Sequence, residues 1–229
     1  MRIGLYFGSF NPIHFGHLQV AHYFYMLGKF DAIWMIPSPL NPHKSEETLV
    51  PADLRLSWVQ KAINGEKGLE CNDVEFHLGT PSYTHRTVTH LYQEFRQHQF
   101  SLIMGADNLQ SFHSWNHAEE LAKICPLHVY ARPGYPKPQE PVPFGATWYD
   151  APLLHISATE IRDLLANQKP IDHLVPQSVI GEIEAFFQHF LANQHEKISH
   201  SKRHKKRVQG IHERRLFHTR VMQLFARNN

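Results

Sequence analysis

The feature that most restricts the fold is an alternation: short apolar runs recur, each separated from the next by a stretch of helical periodicity. Residues 3–8 (IGLYFG) read as a strand, and 16–27 as a helix with apolar spacing at Leu18, Ala21, Phe24 and Tyr25. Residues 32–36 (AIWMI) read as a second strand, ended by Pro37-Ser38-Pro39. Residues 51–63 suit a helix with Pro51 and Asp53 in its first turn. A weak strand is expected at 69–76, a helix at 84–97, a strand at 100–104 running into Gly105, a helix at 116–124 and a strand at 127–131. Prolines 133, 136, 138, 141 and 143 make 133–146 a loop, before a last strand at 153–156 and helices at 158–166 and 177–191. Most of these strands are too apolar to have one wet face. They predict an α/β fold, a doubly wound parallel sheet with helices on both faces.

Charge divides the chain where periodicity does not. Residues 193–229 hold 10 Lys and Arg against 2 acids, so the chain totals of 23 and 21 leave 13 and 19 for residues 1–192. The basic excess is therefore confined to the tail, and residues 1–192 are net acidic. Two segments are expected: a folded domain, 1–192, and a basic C-terminal extension, 193–229. With 42% apolar and 19% charged residues the chain falls in the globular class. No apolar run reaches the roughly 18–20 residues that span a bilayer. The N-terminus lacks a signal-peptide cleavage pattern, and Cys71 and Cys125 make no disulfide framework or metal spacing; both point to the cytoplasm.

The densest chemistry is Gly8-Ser9-Phe10-Asn11-Pro12-Ile13-His14-Phe15-Gly16-His17, between the first strand and first helix. A helix entrance at the carboxyl end of a parallel strand offers N–H groups and a positive dipole end to a phosphate. Gly8 lets backbone approach closely, while Ser9 and Asn11 add small polar groups. His14 and His17, three apart, face the same way, and Gly16 between them leaves space for a ligand. Two imidazoles there can donate to charge developing on a phosphate. The chain has 19 His, so any single one is by default a surface residue; the joint pattern is much rarer.

A second entrance follows the last expected strand: Ile156-Ser157-Ala158-Thr159-Glu160-Ile161-Arg162. Ser157 and Glu160 form a capping-box pattern, an ordinary structural device. Arg162 adds a guanidinium fork suited to phosphate oxygens. Asp107, after the strand ending at Gly105, is placed to accept from ribose hydroxyls or to cap the next helix. Trp115 lies between polar neighbours in a loop and suits a ligand better than a core. Lys44 can reach a phosphate, although a loop lysine is usually just solvated.

These segments together resemble the nucleotidylyltransferase superfamily in its HxGH form, with GSFNPIHFGH as signature. Many members have Asp where this chain has Asn11, so position 11 lacks that charge. Ile156 to Arg162 resembles the family's ISxTxIR motif, whose Ser and Arg hold ATP phosphates. Within the superfamily, Asn41-Pro42-His43-Lys44, Pro81-Ser82-Tyr83-Thr84, Gly105-Ala106-Asp107-Asn108 and Ala131-Arg132-Pro133-Gly134 resemble segments of nicotinate-mononucleotide adenylyltransferases. The resemblance covers about residues 1–192 and implies a Rossmann-like sheet. It implies that ATP meets Gly8, Ser9, Phe10, His14, His17, Gly105, Asp107, Ile156, Ser157, Thr159 and Arg162. It implies that nicotinic acid mononucleotide meets Ser9, Phe10, Asn11, Lys44, Thr84, Asp107, Trp115 and Arg132, with Trp115 stacked on the pyridine ring. His14, His17 and Arg162 carry catalysis on this reading, and Mg2+ arrives mainly on ATP phosphates with no protein metal site.

Three rivals are weighed against this. Phosphopantetheine adenylyltransferases and cytidylyltransferases share the first motif without the SYT, GADN and Trp segments together. A nucleic-acid-binding role rests on the tail, where Lys202 to Arg207 can attach to a polyanion; a solvated terminus is the blander reading. Apolar spacing at Ile211, Phe217, Val221, Leu224 and Phe225 suits a short amphipathic helix on an anionic surface or against a partner subunit, so a homo-oligomer is a further partner class.

Overall fold

The computed structural model describes residues 1–42, 49–139, 141–152 and 154–192. The strands are β1 (Arg2–Gly8), β2 (Ala32–Pro37), β3 (Leu69–Cys71), β4 (Gln99–Gly105), β5 (Leu127–Tyr130) and β6 (Thr147–Tyr149). The helices are α1 (Phe15–Met26), α2 (Ala52–Ala62), α3 (Thr84–Glu94), α4 (Ala106–Ser111), α5 (Ala118–Ile124), α6 (Ala158–Ala166) and α7 (177–192). The strands form one sheet in the order β3-β2-β1-β4-β5-β6, and every pairing is parallel. All six residues of β2 are buried, as a strand covered on both faces requires. The fold is the expected Rossmann-like α/β architecture.

Register locates the working end of the sheet. β1 pairs with β2 from Ile3↔Ala32 to Gly8↔Pro37, and with β4 from Arg2↔Gln99 to Tyr6↔Ile103. Strand order reverses at the β1/β4 boundary. Connections leaving those two strands depart in opposite directions and open a crevice at their carboxyl ends, the usual ligand position in such sheets. Gly8 and Gly105 end the two strands that border it.

Three sequence expectations need correction. The last strand is not at 153–156: residues 154–156 are not strand, and β6 instead occupies Thr147–Tyr149 just after the proline-rich loop. That loop also contains a 3-10 turn at Pro143–Gly145. The expected strand at 69–76 stops at Cys71, because Val74–Phe76 turn into a 3-10 helix that buries Glu75. Pro51 precedes α2 as its N-cap rather than lying in the first turn. The helix α4, carrying Asp107, had no separate expectation.

Contacts divide the chain into Met1–Gly181 and a unit beginning at Glu182. All the site residues discussed below lie in the first. In the second, the rings of Phe186 and Phe190 stack with centroids 6.0 Å apart. No helix among the described residues is long and apolar enough to cross a membrane.

Candidate active site

The loop from β1 to α1 is built tightly. Ser9, Phe10, Asn11 and His14 are all at most 6% exposed. Phe10 takes φ 43°, a left-handed backbone that bulky residues disfavour. Its ring is held edge-on against Tyr6 and His17, with centroids 5.9 and 5.0 Å away. A Cβ on Gly8 would lie 2.9 Å from the Phe10 ring, so Gly8 makes room for that ring as well as for a ligand. Gly16 likewise does not leave open space. A Cβ there would lie 3.0 Å from the His14 ring, so the glycine accommodates the imidazole itself.

His14 is the N-cap of α1, in extended conformation, and Phe15 N–H is met by Leu174 O at 2.9 Å. The His14 and His17 rings stack with centroids 3.7 Å apart and planes 27° apart. Two cationic rings could not rest so closely without a counter-charge. Burial first, and the field of Arg132 second, push the His14 pKa down to about 3, so it is a neutral imidazole at physiological pH. Its Nδ1 has no hydrogen-bond partner among the described residues.

The second entrance docks on the first. Ser157 caps α6, its hydroxyl accepting Glu160 N–H at 3.1 Å, as the sequence pattern indicates. Arg162 then reaches across: it donates to Asn11 O at 2.8 Å and to Thr159 Oγ1 at 3.1 Å. Asn11 in turn accepts Val50 N–H at 3.0 Å through its amide oxygen, a bond that needs no negative charge. One cavity of about 480 Å3 is lined by His14, His17, Ser157, Thr159 and Arg162 together. Gly8, Ser9, Phe10, Asn11 and Ile156 line it too, as do Gly105, Asp107, Trp115 and Arg132.

Across the crevice, Arg132 Nε and Asp107 Oδ1 are 3.5 Å apart. Gly105 permits this pair, since a Cβ there would lie 2.6 Å from Arg132 Cδ and would also strike Asp107. Asp107 is in the first turn of α4, whose N-cap is Gly105, so capping is not its role. Tyr6 and Tyr130, with hydroxyls 3.4 Å apart, were not singled out from sequence, yet both line this cavity. No group of three or more His, Cys, Asp or Glu among the described residues converges to hold a metal.

Thr84 lies outside that cavity. It joins Trp115 in an adjoining one of about 300 Å3, with Asn41, Ser82, Tyr83 and Asn116 in its walls. Trp115 lines both cavities and marks their junction. Its ring is 5.2 Å from that of Phe112, so one part of it rests on the core. Lys44 lies outside the described residues.

The frame beneath the site is Arg55, fully buried and, among the described residues, bound to carbonyls rather than to a carboxylate. It donates to four carbonyls: Val50 O (2.8 Å), Ser9 O (2.6 Å), Ser38 O (2.8 Å) and Pro39 O (2.7 Å). One guanidinium thus ties together the loops after β1 and β2 and the start of α2. Sequence reading passed over it, although the signal was present. Arg55 falls on the same helical face as Trp58, Val59 and Ala62, where an apolar residue is expected.

Known proteins are similar to this chain. Residues 5–164 match the family described as Cytidylyltransferase-like. A probable nicotinate-nucleotide adenylyltransferase of Bacteroides fragilis is 38% identical over 182 residues, 80% of this chain and 90% of that one. One from Flavobacterium johnsoniae is 38% identical over 185 residues, 78% of this chain and 94% of that one. Among solved structures, Plasmodium falciparum nicotinic acid mononucleotide adenylyltransferase complexed with NaAD is similar with a TM-score of 0.70. That likeness covers 81% of this chain and 95% of that chain at 21% identity, and is one of fold. With these relatives matched over nearly their whole length, the chain belongs to the nicotinate-nucleotide adenylyltransferase family.

Proposed function

We propose that this enzyme transfers the adenylyl group of ATP to nicotinic acid mononucleotide, giving deamido-NAD and pyrophosphate in NAD biosynthesis. The observation that carries the reading is that His14, His17 and Arg162, from two helix entrances, line one cavity. A 5′-phosphate oxygen of the mononucleotide attacks the α-phosphorus of ATP, and the bond from that phosphorus to the bridging oxygen breaks. The attacking phosphate is already anionic, so no general base is assigned; such transfers depend on placement and charge stabilisation.

His14 and His17 donate N–H bonds to the transferring phosphoryl oxygens. His14 enters as a neutral donor, and a bound polyanion raises its affinity for a proton. Arg162 and Ser157 hold the leaving phosphates, with Lys44 as a further phosphate contact. Asp107 releases Arg132 to the dinucleotide phosphates when it accepts from ribose. Trp115 stacks on the pyridine ring, and backbone near Thr84 takes the nicotinate carboxylate. Among the described residues Asp107 is the one carboxylate lining the main cavity, which fits a Mg2+ ion carried by triphosphate oxygens rather than by a protein cage. When bound, that ion neutralises charge on the phosphates.

Residues 1–192 are the catalytic part on this reading, and 193–229 a basic extension that contacts polyanions. The free thiols Cys71 and Cys125 suit the cytoplasm, where ATP is available. Purified protein is incubated with ATP and either nicotinic acid mononucleotide or phosphopantetheine, and pyrophosphate is followed. Release with the first supports the assignment; adenylylation of phosphopantetheine alone reverses it. Deleting residues 196–229 is expected to preserve turnover and to abolish retention on a polyanion matrix.

A further inference from the structure

The smaller cavity has an electrostatic design that the reaction itself does not explain. Its wall is the entrance of α3, with Tyr83 as N-cap, no capping side chain and no acid in the first turn. Ser82 is 7% exposed and borders the cavity. Behind Ser82 lies Glu75, 2% exposed, which accepts Thr87 Oγ1 at 2.9 Å. The Ser38 and Ser82 hydroxyls also lie beside its carboxyl, while its Oε2 lacks a bond of normal geometry. Burial raises the Glu75 pKa, and the neighbouring hydroxyls and Arg86 pull it back toward the ionised form.

Arg86, in the first turn of α3, is the cation among the described residues whose field reaches this carboxyl. Its guanidinium donates to Gly79 O and, at 2.9 Å, to Pro81 O, and lies 6.0 Å from the Tyr83 ring centroid. It therefore grips the segment that forms the cavity wall without entering the cavity. An acidic group in that position would repel an anionic ring substituent, and Glu75 alone would do so from below. We propose that Arg86 is the residue that makes this pocket prefer an acceptor bearing a carboxylate over the corresponding amide, by countering Glu75 and adding positive charge beside Tyr83. It is a positioning and specificity residue. The inference rests on the reading of this cavity as the acceptor site.

The test is the ratio of kcat/KM for nicotinic acid mononucleotide to that for nicotinamide mononucleotide. Both acceptors carry the same phosphate, so its contribution cancels. Arg86→Gln is expected to lower the ratio about five-fold, the size of a partly screened charge contact. Arg86→Lys keeps the ratio but loses kcat/KM on both acceptors, because an ammonium does not reproduce the fork to Gly79 and Pro81. Adding Glu75→Gln to Arg86→Gln restores part of the ratio. A purely structural role would lower both acceptors equally. An unchanged ratio in folded Arg86→Gln, or no recovery in the double variant, overturns the proposal. Should Arg86→Gln not fold, the wild-type ratio decides: it falls between about 0.05 and 0.5 M salt if the field is at work, and constancy overturns it. A wild-type enzyme that uses both acceptors equally overturns this inference and leaves adenylyl transfer standing. One that uses neither removes the functional reading itself.

Discussion

Replacing Arg55 by Leu tests whether the site is held from below by a single buried cation. The guanidinium is fully buried and donates four hydrogen bonds to backbone carbonyls. Burial lowers its pKa only to about 10, so it remains charged at neutral pH. Leu fills much of the volume but leaves those carbonyls without donors. At about 1 kcal/mol for each lost bond, the four together cost about 4 kcal/mol. In a chain of this size 1 kcal/mol moves Tm by about 2–4 °C, so a fall of about 8–16 °C is expected. Arg55→Lys keeps the charge and three donors, and its fall should be about half as large. Because Ser9 and the Ser38-Pro39 turn lose their anchor, KM for both substrates should rise in the Lys variant even below its Tm. Thermal unfolding followed by circular dichroism, paired with steady-state kinetics, measures both effects. A Leu variant melting within about 3 °C of wild type, with unaltered KM, would falsify this account of the frame.

Three further predictions follow from the site. His17→Ala should lower turnover by about 10²–10³-fold, as for loss of one oxyanion donor, in a protein that still melts cooperatively; near-normal turnover removes His17 from the mechanism. Trp115→Ala should raise KM for the mononucleotide by about 5–160-fold, from about 1–3 kcal/mol of stacking, with KM for ATP unchanged; equal effects on both substrates argue against a pyridine contact. His14 should make the ligand-free fold acid-labile: its folded pKa of about 3 lies below the ordinary 6.5, so both states are neutral above pH 6.5. Below that pH the unfolded chain takes up a proton that the fold refuses, and stability falls by about 1.4 kcal/mol per pH unit down to about pH 3. His14→Gln should therefore gain on wild type in Tm as pH drops from 7 to 5, and parallel melting curves would contradict the burial argument.

Much of the architecture was legible because parallel strands leave continuous apolar runs. β1, β2, β4 and β5 appear within about two residues of expectation, and so do α1 and α6. β6 was misplaced because Thr147-Trp148-Tyr149 is only three residues long and follows a proline-rich loop, while the apolar 153–156 looked more strand-like. Periodicity carries no count of hydrogen-bond partners, so it could not tell those apart. The two helix entrances were readable from Gly, His, Ser and Arg spacing, but their union through Arg162 and Asn11 spans 151 residues of chain and is a property of the fold. Gly16 shows the opposite limit: spacing alone makes its missing side chain look like room for a ligand, whereas the space belongs to His14. Arg55 and Glu75 were overlooked because buried charge is recognised by its partners, and those partners are backbone carbonyls and hydroxyls from distant loops.

The most direct measurement follows phosphorus. ATP labelled at its α-phosphorus is incubated with the enzyme and nicotinic acid mononucleotide, in parallel with ATP labelled at its γ-phosphorus. Direct attack puts the α-label in the dinucleotide, the γ-label in pyrophosphate, and none on the protein. Label from the γ-position on the acceptor, or α-label retained covalently on the denatured chain, would contradict direct attack within the cavity of His14, His17 and Arg162.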